Sequence, residues 1–104
     1  MKVAISCTGN SADAAVDQRF GRCAYFAFYD TDTKELEFEA NPAKDSSEGA
    51  GPAAVAFVAN KNVGKIVSGE FGFKMKGMLT DLKIQMVIMK ENKTVREITG
   101  LLNQ

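Results

Sequence analysis

The stretch that decides the fold is AYFAFYDTDTKELEFEAN, residues 24–41. Its first part, Ala24 to Asp30, is aromatic-rich on both faces, which is typical of a β-strand that is covered on both sides. Asp30 to Thr33 predicts a turn, and Lys34 to Asn41 then alternates apolar residues with glutamates, as in a half-buried edge strand. Because the connecting turn is so short, the two strands must pair antiparallel.

The sequence on either side of this hairpin predicts three more strands and three helices. Val3 to Cys7 predicts a first strand, and one helical turn is expected around Ala12 to Val16. Later strands are predicted at Val63–Ser68 and Ile84–Met89. The helices are predicted at Ala53–Asn60, with Pro52 in the first turn, at Phe73–Leu82, and from the capping box Thr94-Val95-Arg96-Glu97 toward Leu102.

These elements predict one α/β domain over residues 1–104, a mixed sheet with helices packed on it. The first three strands connect too tightly for anything but antiparallel pairing, whereas helices separate the later strands and make them parallel through right-handed crossovers. A chain of 104 residues is long enough to bury one hydrophobic core.

Composition excludes several classes of function. The chain has 13 basic and 13 acidic residues, and this zero net charge argues against a general binder of nucleic acids or anionic membranes. It has no histidine, which removes imidazole ligands and histidine-based catalytic pairs. No apolar run is long enough for a membrane span or a signal peptide. We therefore expect a cytoplasmic protein whose two cysteines are free thiols or metal ligands.

The ordered motifs of the chain resemble those of one known family over nearly its whole length. Residues 16–26, VDQRFGRCAYF, are similar to the D-x-R-F-G-R-x-x-Y-F signature of the dinitrogenase iron–molybdenum cofactor biosynthesis family. Further matches are Asn41-Pro42-Ala43, Gly49-Ala50-Gly51 and Ser68-Gly69-Glu70-Phe71-Gly72. The resemblance implies a ribonuclease-H-like fold with a five-stranded sheet of order 3-2-1-4-5 in which strand 2 is antiparallel.

The same resemblance implies a non-enzymatic function linked to nitrogen fixation. Members of the family bind or carry iron–sulfur-type cofactor precursors, and a related branch holds a molybdenum–copper sulfide cluster. Two positions depart from the family pattern. Members often carry a histidine near the Gly-Ala-Gly loop, where this chain has Asp45-Ser46-Ser47-Glu48, and Phe73 stands where proline is common. These differences concern the cargo rather than the fold.

With the implied strand order, the loops that carry the family motifs meet at one edge of the sheet. Ligands of open α/β sheets bind at the carboxyl ends of strands where the connections diverge, here between strands one and four. Cys7 and Cys23 come to adjacent backbone positions at that edge, and thiolates are soft ligands for iron or copper, so we predict both as metal ligands. The predicted cofactor-binding residues, which supply charge or close backbone approach, are Thr8, Gly9, Arg19, Arg22, Gly49, Gly51, Gly69 and Gly72.

Structural interpretations of the same residues stay open. Either cysteine could be a core residue, or the two could form a reversible disulfide. Two cysteines are also fewer than the four of a complete cluster site, so a dimer interface, or charge and hydrogen bonds around a preassembled cluster, would supply the rest. Asp17 and Arg19 fit an ion pair that holds the loop, and Phe20 fits an apolar anchor beneath it. The methionines at 75, 78, 86 and 89 fit the core.

The sequence thus predicts a carrier of an iron–sulfur or iron–molybdenum-type cluster, with a metalloprotein assembly partner. A nuclease is excluded because the first strand has no carboxylate for two-metal chemistry. A flavodoxin-like flavin carrier is disfavoured because a hairpin follows Ser6-Cys7-Thr8-Gly9-Asn10, which otherwise resembles a flavodoxin phosphate loop. The main alternative is a cofactor-free adaptor that docks on a metalloprotein.

Overall fold

The computed structural model describes residues 1–103, and the elements match those predicted, with shifted ends. None of the helices in this described part has the length and apolar character to cross a bilayer. The strands are β1 (Lys2–Cys7), β2 (Tyr25–Asp30), β3 (Leu36–Ala40), β4 (Lys65–Ser68) and β5 (Gln85–Ile88), and the helices are α1 (Ala50–Ala59), α2 (Phe73–Asp81) and α3 (Val95–Leu102).

The strands form one mixed sheet of order β3-β2-β1-β4-β5, which confirms the predicted topology. β2 is antiparallel to both β1 and β3, whereas β4 is parallel to β1 and β5 is parallel to β4. The carboxyl ends of β1, β4 and β5 therefore lie at the same edge of the sheet as the amino end of β2. We call this edge, reached at Cys7, Ser68 and Ile88, the loop edge.

Side chains alternate between the two faces of the sheet, and each face has its own hydrophobic cluster. Phe26 and Ile66 pack with α1 and α2 on one face, while Val3 and Ile5 pack with α3 on the other. The predicted role of the methionines in the core is confirmed. Met75, Met78 and Met86 belong to or pack against the first cluster, and Met89 packs against the second.

The helical turn expected around Ala12–Val16 is wrong. Val16 instead forms an isolated antiparallel bridge with Cys7, and Ala15 forms one with Thr94. The N–H groups of Val95 and Arg96 donate to carbonyls of this segment at 2.9 and 2.8 Å. The carbonyls of Ala12 and Ala14, which lie in a turn, thus satisfy first-turn N–H groups of α3 that have no partner within their own helix, and this tertiary pairing overrides the local helix propensity of the alanines.

The predicted capping box begins α3. The Thr94 hydroxyl accepts from the Glu97 N–H at 3.2 Å, and a Glu97 carboxylate oxygen accepts from the Thr94 N–H at 2.9 Å. This pair satisfies two main-chain donors reciprocally and orients α3 against its face of the sheet.

We expect Thr94→Ala to lower the free energy of unfolding by about 1 kcal/mol, because it removes the N-cap acceptor of α3. Thr80→Ala is the matched control, since the exposed Thr80 hydroxyl bonds only the Lys76 carbonyl of its own helix. Because alanine is the better helix former, the control should stay within about 0.5 kcal/mol of the wild type. Urea unfolding measures both, and equal losses would contradict the capping role.

Candidate binding site at the loop edge

The crevice between the carboxyl ends of β1 and β4 is filled by the chain itself. The Asp17 N–H donates to the Ser6 carbonyl at 2.9 Å, and the Gly69 N–H donates to the Asp17 carbonyl at 3.1 Å. Arg19 then forms a parallel bridge with Glu70. Residues 17–19, which we call the plug, thus lie beside the ends of β1 and β4, where an open α/β sheet would usually receive its ligand. A ligand at this edge must sit on the plug rather than between the strands.

Two buried serine hydroxyls lie beneath the plug. The Oγ atoms of Ser6 and Ser68 are 2.8 Å apart, and the Asp17 carbonyl oxygen lies 3.1 Å from the first and 3.5 Å from the second. Neither serine is exposed to solvent. Both residues belonged to motifs quoted from the sequence but had no predicted role, although both are polar residues near the ends of strands whose other members are mostly apolar.

Arg19 presents its charge at the surface of the plug. Asp17 Oδ1 accepts from the Arg19 N–H at 2.9 Å and lies 3.4 Å from its Nε, which confirms the predicted ion pair. The Asp17 side chain is 8 % exposed and that of Arg19 is 62 % exposed. The terminal nitrogens of Arg19 make no hydrogen bond within residues 1–103. The guanidinium is therefore oriented through its Nε, and its two terminal nitrogens are available to bind a ligand.

Phe20 anchors the plug to the core, as predicted. Its side chain is 2 % exposed. Its ring centroid lies 5.6 Å from that of Phe26 on β2 and 5.5 Å from that of Phe71, which follows β4. The residue next to Arg19 is thus fixed by aromatic packing of the first hydrophobic cluster.

Arg22 and Asn41 join the loop before β2 to the loop before α1. Arg22 Nη1 donates to the Lys44 carbonyl at 3.1 Å and also to the Ser46 carbonyl. Asn41 Nδ2 donates to the carbonyls of Gly21 and Cys23, each at 3.0 Å. Arg22, predicted as a cofactor-binding residue, therefore has one nitrogen engaged in holding the loops together. Asn41 belonged to a quoted motif but had no predicted role.

The predicted glycines fall into a packed group and an accessible group. A Cβ on Gly69 would lie 2.4 Å from the Gln18 Cα, so this position excludes a side chain. A Cβ on Gly51 would lie 2.5 Å from the Met75 Sδ, so a side chain there requires the end of the flexible Met75 side chain to move. Gly49 and Gly72 are exposed and stand at the N-caps of α1 and α2, neither of which has a side-chain cap. Of the other predicted residues, Thr8 and Arg19 are exposed, and Gly9, Arg22 and Gly51 are half-buried.

The two thiols are not exposed at the loop edge. Both cysteines are free and fully buried, and they belong to hydrophobic clusters on opposite faces of the sheet. The Cys7 thiol donates to the Gly9 carbonyl at 3.3 Å, and the Cys23 thiol donates to the Phe20 carbonyl at 3.3 Å. No group of three potential metal-ligating side chains occurs in the described chain. Ligation by either cysteine therefore requires the plug and its loop to open.

Burial raises the pKa of the Cys7 thiol to about 11 and that of the Cys23 thiol to about 12. The nearby Asp17 carboxylate raises both further, while hydrogen bonds from the backbone to each sulfur act in the opposite direction. Both groups are thus neutral thiols at neutral pH, and neither adds negative charge beneath the plug.

This chain is similar to a known protein family and to several solved structures. The model of the family described as dinitrogenase iron–molybdenum cofactor matches residues 1–104. The solved structure of the apo form of the orange protein from Desulfovibrio gigas is 31% identical, with a TM-score of 0.89 over 95% of this chain and 83% of that one. A NifB-like protein from Thermotoga is 27% identical, with a TM-score of 0.82 over 95% of this chain and 84% of its own. No curated protein sequence matches significantly.

We expect Gly69→Ala to lower the free energy of unfolding by about 1–3 kcal/mol, because the added Cβ meets the backbone of the plug. Gly72→Ala is the matched control from the same loop. Gly72 has a φ of −61°, and its nearest neighbour would be the Met75 Cγ at 3.9 Å, so this variant should stay within about 0.5 kcal/mol of the wild type. Chemical unfolding measures the free energy of unfolding of the two variants. A Gly69→Ala protein as stable as the wild type would refute the close contact between Gly69 and the plug.

The buried thiols also predict a pH dependence of stability. In the unfolded chain they titrate near the ordinary value of 9.0, whereas in the folded chain they keep their protons to about pH 11 and about pH 12. Their contribution to stability is therefore complete below pH 9.0 and is lost as the pH rises above it, by at most about 1.4 kcal/mol per pH unit for each thiol. The difference in unfolding free energy between the wild type and a Cys7→Ser, Cys23→Ser variant should shrink above pH 9.0. Parallel pH profiles would contradict this prediction.

Proposed function

The chain belongs to the dinitrogenase iron–molybdenum cofactor family, and on that premise we propose that it is a non-enzymatic carrier of an anionic metal–sulfur cluster. The cargo is an iron–sulfur or iron–molybdenum-type species that binds at the loop edge, on the surface of the plug. A cofactor-related carrier role agrees with the family and with the similar solved structures.

The observation that carries the proposal is the exposed, oriented guanidinium of Arg19. Its Nε is held by a buried carboxylate, so less side-chain freedom is lost when the terminal nitrogens bind a ligand. Sulfide clusters carry negative charge, and a guanidinium supplies several charge-assisted donors in one plane. The acidic neighbour Glu70 is balanced by Lys90, whose Nζ lies 3.5 Å from the Glu70 carboxylate.

The starts of α1 and α2 add a second source of positive potential. Gly49 and Gly72 leave main-chain N–H groups of the first helical turns without a side-chain cap. The absence of a Cβ at both positions lets a bulky anion approach the backbone closely. Lys74 and Lys76, both exposed, lie in the first turn of α2 and contribute charge beside Gly72.

Retention by charge and hydrogen bonds suits this chain better than retention by thiolates. Cys7 and Cys23 are protonated, buried and directed toward carbonyls of their own loop. A preassembled cluster that keeps its own sulfide ligands needs no protein thiolate. Ligation by the two cysteines stays a prediction, and variants without them test it separately.

One observation favours docking on a protein partner, which the alternative of a cofactor-free adaptor requires. Phe73, directly after Gly72, is 93 % exposed, which is unusual for so large an apolar side chain. It borders a surface cavity of about 420 Å³ along the outer face of α2. A protein partner would cover this side chain whether or not the chain carries a cluster.

We expect the wild type to bind tetrathiomolybdate, an anionic metal sulfide used as the probe, and Arg19→Gln to bind it about tenfold or more weakly through loss of charge-assisted hydrogen bonds. Lys83→Gln is the control, because it changes the net charge equally at an exposed position beyond the far end of α2. Anaerobic titration followed by visible absorbance measures the dissociation constants.

Equal affinities of the Arg19→Gln and Lys83→Gln proteins would remove Arg19 from the site. No binding by the wild type would favour the adaptor. The Cys7→Ser, Cys23→Ser variant should keep most of its affinity, and its complete loss would identify the cysteines as ligands after loop opening.

A further inference from the structure

We infer that Ser6 and Ser68 are positioning residues for cargo binding, which hold the plug so that Arg19 presents its guanidinium at the loop edge. The effect of the serines on cargo binding rests on the proposed function, whereas their effect on the position of Arg19 does not. Its structural basis is a buried hydrogen-bond network that links β1, β4 and the plug.

The two hydroxyls join three segments of the chain at one point. Ser6 lies near the end of β1 and Ser68 at the end of β4, and their Oγ atoms are 2.8 Å apart. The Ser6 Oγ has the Asp17 carbonyl at 3.1 Å and the Val67 carbonyl of β4 at 3.5 Å. The Ser68 Oγ has the Glu70 carbonyl at 3.4 Å and the Asp17 carbonyl at 3.5 Å. When Ser68 donates to Ser6, the nearest acceptor for the Ser6 proton is the Asp17 carbonyl of the plug, and when Ser6 donates to Ser68, the Ser68 proton goes to the Glu70 or the Asp17 carbonyl.

The network adds side-chain hydrogen bonds to the main-chain attachment of the plug. The plug joins β1 and β4 through the bonds from the Asp17 N–H to the Ser6 carbonyl and from the Gly69 N–H to the Asp17 carbonyl. On the same face of β1 and β4, the neighbours of the serines are the apolar Ala4 and Ile66. Hydroxyls buried in such surroundings are costly unless they are bonded, and a bonded network selects one arrangement of the chain over others.

The position of Asp17 determines the position of the Arg19 guanidinium. Asp17 Oδ1 accepts hydrogen bonds from the Arg19 main-chain N–H and from the Arg19 Nε–H. The Arg19 guanidinium is therefore positioned relative to Asp17, whose carbonyl the serines hold. Phe20 fixes the chain on the other side through the core. Releasing the Asp17 carbonyl would therefore loosen the guanidinium without changing its charge.

The first test needs no cargo and uses a Ser6→Ala, Ser68→Ala variant of the full chain. We expect the Gly69 amide proton to exchange about tenfold faster than in the wild type, and NMR order parameters to fall at the Arg19 Nε. Tyr29→Phe is the matched control, because it removes a 2.6 Å hydrogen bond to Asn103 from a buried side chain remote from the plug. Gly69 exchange and Arg19 order equal to those of the control would overturn the inference.

The second test is a double-mutant cycle with tetrathiomolybdate. We expect the serine substitutions to weaken binding by about three- to tenfold when Arg19 is present, and to have no further effect in an Arg19→Gln background. A purely structural role would instead give equal losses in both backgrounds, and that result would overturn the inference. If the wild type does not bind the probe, the proposed function fails, while the exchange and order measurements still decide whether the serines position Arg19.

Discussion

The main-chain hydrogen bonds of Asp17 tie together parts of this molecule that come from distant points in the chain. The Asp17 N–H donates to the Ser6 carbonyl of β1, and the Asp17 carbonyl accepts from the N–H of Gly69, the first residue after β4. A loop residue thus links the ends of the two neighbouring strands β1 and β4. Arg19, Phe20 and Gly69 take their positions from this contact. Because buried main-chain groups must be paired, the end of the sheet and the signature loop are determined together.

This constraint changes how a metal–sulfur cargo would be held. An open crevice between β1 and β4 would surround a ligand, whereas the filled crevice offers a surface with an oriented cation and two uncapped helix starts. The same packing seals both thiols among apolar side chains and keeps them protonated. On the proposed function, charge and main-chain donors at this edge would therefore hold an anionic cargo in place of thiolate ligands.

Much of the fold could be predicted because its signals are local. The aromatic strand followed by the glutamate-alternating strand indicated the hairpin, and Thr94 with Glu97 marked the start of α3. The order of the sheet followed from the family resemblance and from the connections permitted between successive strands. The helical turn near Ala12–Val16 was wrong because its carbonyls serve α3, which lies about 80 residues later in the chain.

The sequence by itself determined the hairpin, the alternation of later strands and helices, the Asp17–Arg19 pair and the apolar anchor at Phe20. These features depend on residue type and on spacing over a few positions. Only the tertiary structure decided that the plug closes the crevice, that Ser6 meets Ser68, and that Cys7 and Cys23 lie on opposite faces. Each of these depends on register and on which face a side chain takes where distant segments meet, and a shift of one residue in a strand would reverse the face.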